Sequence, residues 1–478
     1  MMHHLRADML MTRGGNVSSS TASWWTVFIV CMTTGEFVWA DGPFALVSGR
    51  RDPSAIVIDL GKALDPANDG TSNAVISRVR VTPDVDTDGD GIPDAPAAGL
   101  PSNIVIQADG PFAFVVNHAG NATSAQVAAF QHGHPGTVVI LDLRAALDPA
   151  NDGTMNAIEA VIPSGGFGPV GFSQTDDRRF AFVGNSEGQG DEDGGREVSV
   201  IDLQRREVIE VLRLPLGDGG NVAQAADRSC VELAADPTLI SHGFPDENVG
   251  CFPDINAIGI TGRFAFAANG GTDDVSVIDI QLAITGDPHA EIARIPVERG
   301  PWGLAVSPDG RLVAVTNRES AETGLEGNTI SILDVGKAIA GDPGAEAARV
   351  IVGTDDAATE TRPFGLAFTP DGRHIVVANF RSNNISIVDV GKALTGRSDV
   401  EVARIPLFSP GGGAARPRGV AITPDGRFAA VSGGSPDAPE GGSLWMIDLE
   451  STAVAATVVG VGNEPYLLAI TRGMRDSR

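Results

Sequence analysis

Along most of the chain, short runs of apolar and β-branched residues alternate with tight turns, and long amphipathic helical stretches are missing. Residues 299–317 read RGPWGLAVSPDGRLVAVTN, residues 362–379 RPFGLAFTPDGRHIVVAN and residues 416–433 RPRGVAITPDGRFAAVSG. In each, an apolar run, a Pro-Asp-Gly turn and a second apolar run recur in register. Proline presets φ, aspartate tolerates the bend and glycine takes a positive φ at little cost, so each stretch predicts two strands around a tight turn. The second run is apolar at consecutive positions, as in RLVAVTN, which predicts a strand buried on both faces.

A further element sets the count. Runs ending in aspartate occur as AIVIDL (55–60), VVILDL (138–143), VSVIDL (198–203), VSVIDI (275–280), ISILDV (330–335), ISIVDV (385–390) and LWMIDL (444–449), seven in all. The clearest copies add a fourth run, ARIPV (293–297), ARVIV (348–352) and VARIPL (402–407). Each unit thus reads as a four-stranded antiparallel meander, and a unit repeated this way stacks against its neighbours to bury its faces. The expected fold is all-β: a seven-bladed β-propeller of four-stranded antiparallel blades, an arrangement that hides nearly all strand edges. PYLLAIT (465–471) reads as an innermost strand with no blade after it, and DGPFALVSG (41–49) aligns with the second strand DGRFAAVSG (425–433). A C-terminal strand closing the first blade accounts for both. The propeller is assigned to 41–471, with insertions at 82–100, 117–136 and 217–252 and a tail at 472–478.

These stretches resemble the YVTN family of β-propeller repeat proteins, whose repeat looks like RPxxVAVSPDGRxxYVTNxxxxxISVID. The likeness is close in the last three units and looser in the second to fourth. Here the signature tyrosine is replaced, as in VAVTN (313–317) and VVAN (376–379), and the only tyrosine is Tyr466. The resemblance implies a secreted or cell-surface protein, with lactonase-like enzymes among its relatives.

The N-terminus fits that location. Arg6 and Arg13 precede ASWWTVFIVCMTT (22–34) and then VWA (38–40), the order of a charged region, an apolar core and a small-residue cleavage site. Residues 1–40 are therefore expected to be an export signal or a disordered N-terminus. The apolar core falls short of the about 20 residues needed to span a bilayer. Export suggests that Cys230 and Cys251, left once Cys31 is removed, form a disulfide within the third insertion. A net charge of −27 repels phosphate backbones and anionic lipid, so neither nucleic acid nor a membrane is an expected partner. A monomer is expected.

The sharpest chemical motif is DVDTDGDGIPDA (84–95). Aspartates at alternate positions, with a glycine for the sharp turn, wrap oxygens around a hard cation, so Asp84, Asp86, Asp88, Asp90 and Asp94 are candidate Ca²⁺ ligands. The pattern resembles a thrombospondin type 3 calcium loop, without the glutamate that closes an EF-hand. ALDPANDGT occurs twice, at 63–71 and 146–154, and reads as structural turn chemistry. The seven strand-ending aspartates are likewise read as structural, because one active site needs one copy and not seven.

Propeller ligands gather at one mouth of the central channel. In the repeat register that mouth carries Arg50, His118, Glu187, Trp302, Arg318, Glu319, Phe364, Arg381, Arg418 and Tyr466. Converging arginines in an acidic protein point to a small anionic ligand, held by guanidinium forks and aromatic rims. An extracellular protein or glycan is the other expected partner. A transition-metal site at His118, His132 and His134 is disfavoured, for want of cysteine or carboxylate at a firm spacing. The sequence reading is an exported, calcium-stabilised binding or scaffold module, with catalysis left open. The alternatives are a lactonase-like hydrolase, marked by a cluster of His118 with Glu187 or Glu319, and a propeller subunit of a periplasmic redox enzyme.

Overall fold

The computed structural model describes residues 42–107, 110–129, 134–187, 195–216, 240–241, 244–245, 252–319, 326–356, 358–435 and 441–471. Residues 1–40, where an export signal is expected, lie outside these, as do His132, Cys230, Cys251, the C-terminal tail, the side chain of Glu319 and most of the 217–252 insertion.

The described chain is all-β. Five antiparallel sheets have four strands each and one has seven. The seven-stranded sheet departs from the expected four-stranded units. Its strand Ile158–Gln174 pairs at its start with Pro135–Asp142 and at its end with Phe180–Glu187, so it serves as outer strand to one group and inner strand to the next. The stretch SGGFG lets the backbone pass straight through: Gly165 and Gly168 hold φ of 84° and 56°, where a side chain would be strained.

The Pro-Asp-Gly turns form as read. Ser307 Oγ donates to Asp309, whose carboxylate also accepts from Arg311 N, with Gly310 at φ 70°. Thr369 with Asp371 and Thr423 with Asp425 repeat the arrangement, and the hydroxyl hydrogen bond holds each carboxyl below its usual range. All seven strand-ending aspartates are structural. Asp59, Asp142, Asp279, Asp334 and Asp389 cap short helices, while Asp202 and Asp448 accept from turn amides.

Neighbouring sheets are fastened at their outer strands by two devices. Arg78, Arg294, Arg349 and Arg404 hold one register position and reach back to Gly460 O, Pro215 O, Glu298 and Asp355, each just beyond the preceding outer strand. The ALDPANDGT loops are the second device. Gly70 N donates to Thr457 O, Val459 N to Thr71 O, and Thr457 N to the Asp69 carboxylate. The second copy does the same against Arg78 and Arg80 through Asp152, Gly153 and Thr154. Both loops cover an edge that would otherwise present unpaired amides. The C-terminal strand Pro465–Ile470 pairs antiparallel with Phe44–Gly49.

Seven inner strands begin alike. Pro465, Pro101, Pro169, Ile255, Pro301, Pro363 and Pro417 pair with Gly49, Asn117, Asn185, Asn269, Asn317, Asn379 and Gly433, and a bulge follows in every case. The residue before each is left-handed: Leu100, Gly168, Asp254, Gly300, Arg362, Arg416 and Glu464 have φ between 43° and 59°. Bulges re-aim side chains, and here they set Ser102, Val170, Asn256, Trp302, Phe364, Arg418 and Tyr466 at one end of their strands.

Candidate functional site

These seven strands line one cavity of about 460 Å³. At its bulged end, Trp302, Phe364, Phe380 and Tyr466 form an aromatic cluster. Phe364 lies 5.2 Å from Trp302, 5.3 Å from Tyr466 in an edge-on contact, and 6.1 Å from Phe380. Arginines cover the rings. Arg318 stands 4.4 Å over Trp302 and Arg50 4.9 Å over Tyr466. Arg418, Arg362 and Arg416 stand 4.9, 5.3 and 5.8 Å from the Phe380 ring. The rings of Trp302, Phe380 and Tyr466 are thus each faced by a guanidinium group and orient the cations.

The hydroxyls beneath the bulges stiffen this cluster. Thr316 Oγ1 accepts from Gly303 N and donates to Phe364 O in the next sheet. Ser432 accepts from Gly419 N and donates to Tyr466 O. Gly303 and Gly365 must be glycine, since a Cβ on either would stand 2.2 Å from a neighbouring carbonyl oxygen.

Arg418, 4% exposed, pairs with Glu464 at 2.8 Å, and Glu464 also takes Arg51 at 2.9 Å. Burial pulls the Arg418 guanidinium below its ordinary value; Arg50 and Arg416 act the same way, while Glu464 and Tyr466 oppose them. One guanidinium nitrogen of Arg50 is buried without a hydrogen-bond partner.

Beside Arg50, His118 Nε2 and Glu187 Oε1 are 2.8 Å apart, with both side chains almost fully buried. Burial alone would push the Glu187 carboxyl up, but the charge and hydrogen bond of His118, with Arg50 and His134, outweigh it and hold the carboxyl low. Glu187 is therefore ionised, and His118 donates to it from Nε2. His118 Nδ1 and Glu187 Oε2 are buried with no partner.

Of the residues assigned to the mouth, Arg50, Trp302, Arg318, Phe364, Arg418 and Tyr466 belong to the aromatic and arginine cluster, and His118 with Glu187 forms the pair beside it. Arg381 does not join them; it pairs with Glu360 at 3.0 Å and is more than half exposed. Phe380, Arg362, Arg416 and Glu464 were missed. Phe380 follows Asn379 as Arg318 follows Asn317, a register signal that could have found it.

In the acidic loop, oxygens of Asp86, Asp88 and Asp90 lie within 4.8 Å of one another. Hydrogen bonds from the amides of Gly91 and Gly89 keep the Asp86 carboxyl low. Asp84 pairs with Arg80 and Asp94 accepts from Thr87, so neither joins that group. Among the described residues this is the only set of three metal-ligating groups so arranged; His132 lies outside them.

No family model matches the chain, and no curated protein matches it. Solved structures do. A periplasmic gluconolactonase of Pseudomonas aeruginosa is 18% identical, with a TM-score of 0.57 over 90% of this chain and 99% of that one. A proposed 6-phosphogluconolactonase of Bacteroides fragilis is 13% identical, with a TM-score of 0.54 over 91% of this chain and 100% of that one. A Lactobacillus plantarum protein is 14% identical, with a TM-score of 0.53 over 90% and 99%. The fold is a lactonase-like β-propeller. At these identities the likeness extends to the fold and no further. Among the described residues no helix is long and apolar enough to cross a membrane.

Proposed function

We propose that the chain is an exported, YVTN-type propeller of seven blades, closed by its C-terminal strand, that binds a small anionic ligand at the bulged mouth of its channel. The seven equivalent bulges support the blade count, with the seven-stranded sheet taken as two blades sharing Ile158–Gln174. The periplasmic location named for the Pseudomonas aeruginosa relative supports export. The observation that carries the binding role is the convergence of Arg50, Arg318, Arg362, Arg416 and Arg418 on one aromatic cluster in a protein of net charge −27. Titration calorimetry with a panel of small carboxylates and inorganic phosphate tests it. Arg50→Gln is expected to weaken the best binder by about tenfold, the scale of one charge-assisted hydrogen bond. Unchanged affinity in that variant and in Arg318→Gln would reject the site.

A Ca²⁺ ion in the acidic loop is part of the same proposal, supported by the approach of Asp86, Asp88 and Asp90. Chelation should lower Tm, and Asp88→Asn should abolish that response. An unchanged Tm, together with no heat on adding Ca²⁺, would discard it.

The His118–Glu187 pair favours a second reading, hydrolysis of a lactone. In the neutral imidazole, the Nε2–H donated to Glu187 leaves the lone pair on Nδ1, and that nitrogen could take a proton from water as the resulting hydroxide adds to the lactone carbonyl. Collapse of the adduct breaks the ring C–O bond, the protonated Nδ1 returns its proton to the leaving ring oxygen, and the product is a hydroxy acid. Arg50 stands where it could steady the developing oxyanion. Lactone hydrolysis followed by pH-stat decides it: His118→Asn should remove turnover, and a rate equal to that of the unaltered protein rejects this reading.

A further inference from the structure

Beneath the arginines the channel changes character. Ile104, Ile258, Leu304, Leu366, Ile422 and Leu468, from six of the seven inner strands, line the cavity. Leu304 and Ile422 are only half-buried, so aliphatic surface is left facing the interior. Apolar surface held open inside a cavity is what an apolar ligand segment would cover, at a gain proportional to the area removed from water. The volume of about 460 Å³ lies within the range of small-molecule sites, roughly 300–1,000 Å³. A six-residue strand such as Pro363–Phe368 rises about 20 Å, depth enough for a hydrocarbon tail of medium length.

The polar and apolar zones are continuous. Trp302 and Phe364 belong both to the cavity lining and to the aromatic cluster that carries the arginines. Tyr466, edge-on to Phe364, carries Arg50 on its face and lies near Arg418. A cationic entrance opening into an aliphatic interior has one complementary small-molecule chemistry, an anionic head on a hydrocarbon tail. A sugar-like ligand would set hydroxyl groups against the aliphatic walls without hydrogen-bond partners.

We propose that the ligand is a medium-chain carboxylate, its head at Arg50 and Arg418 and its tail in the channel. This rests on the mouth being an anion site and adds the tail. Calorimetry on the purified chain with acetate, butanoate, hexanoate, octanoate and octanol tests it. Affinity should rise by about fourfold per added methylene along the acids, and octanol should bind at least tenfold more weakly than octanoate. Leu304→Asn should flatten the chain-length dependence while leaving acetate binding unchanged. If that variant fails to fold, the acid series on the unaltered protein decides alone. Equal affinity for acetate and octanoate would overturn the tail placement and leave the anion site standing. Octanol matching octanoate would overturn the head placement, and failure of every acid to bind would overturn both the tail proposal and the anion site.

Discussion

Asp274→Asn is expected to stabilise the protein at neutral pH and to change little in acid. Asp274 is almost fully buried beside Asn269, Arg294 and Glu291, and burial pushes its carboxyl up to about 6 from 3.8. Arg294 opposes the shift, yet its contact with Asp274 is 3.7 Å against 2.7 Å to Glu291, and Glu291 itself repels the charge. A folded pKa above the unfolded value means that the folded state holds the proton more tightly. The associated stability is complete below about pH 4 and is lost as pH rises through about 6. At 1.36 kcal/mol per unit, the loss at pH 7.5 is at most about 3 kcal/mol. Asparagine stays neutral throughout, and the fold already accepts it in this register: Asn384 stands opposite Asn379 as Asp274 stands opposite Asn269, with the same side-chain hydrogen bond. The Arg294 attraction is already contained in the value of about 6, so the gain at pH 7.5 is up to about 3 kcal/mol. Urea midpoints of both proteins at pH 4 and pH 7.5, at constant ionic strength, measure it. An equal shift at the two pH values, or destabilisation at pH 7.5, would show that the buried charge is not the cause.

Three further outcomes are expected. Asp69→Ala removes the cap on Thr457 N where the first loop grips the last outer strand; it should cost about 1 kcal/mol and speed amide exchange at Thr457 and Val459 ahead of the other sheets. Gly303→Ala drives a Cβ against Phe364 O and should cost about 2–3 kcal/mol in denaturant melts, whereas Gly262→Ala, with open space around it, should cost only the strain of its left-handed φ, about 1 kcal/mol. Arg362→Gly relieves a left-handed side chain and should raise stability by up to about 1 kcal/mol while weakening anion binding, a split that Tm and calorimetry separate.

Much of the architecture was legible because it repeats. A hydroxyl, proline, aspartate and glycine in order make one turn chemistry wherever they occur, and the strand-ending aspartates cap the following turn in every copy. The fused sheet was not legible, since SGGFG reads as a loop and only pairing on both sides shows a continuous strand. The site was half legible. Arg318 and Arg418 fell out of the register, but Arg362 and Arg416 look like fixed letters of the repeat, and their role depends on Phe380, whose register position after Asn379 is the one signal that sets it at the same end. Glu464 occupies the same pre-proline position as those arginines, so its pairing with Arg418 follows from the two strands lying side by side and not from local spacing.

The conformational strain has a direction. Proline disfavours compact backbone in the residue before it, and side chains disfavour positive φ, yet Leu100, Arg362, Arg416 and Glu464 combine both at one end of the channel. The turns at the other end of the inner strands obtain their positive φ from Gly310, Gly372 and Gly426, at little cost, while Arg178 takes the equivalent position in the third unit at φ 62°. Gly168 and Gly300 fill the same position in two other strands, so Leu100, Arg362, Arg416 and Glu464 are each held there against a cost of about 1 kcal/mol that glycine would avoid. Three of those four side chains, Arg362, Arg416 and Glu464, are charged and stand in or against the arginine cluster, so the strain and the charge coincide at that end of the strands.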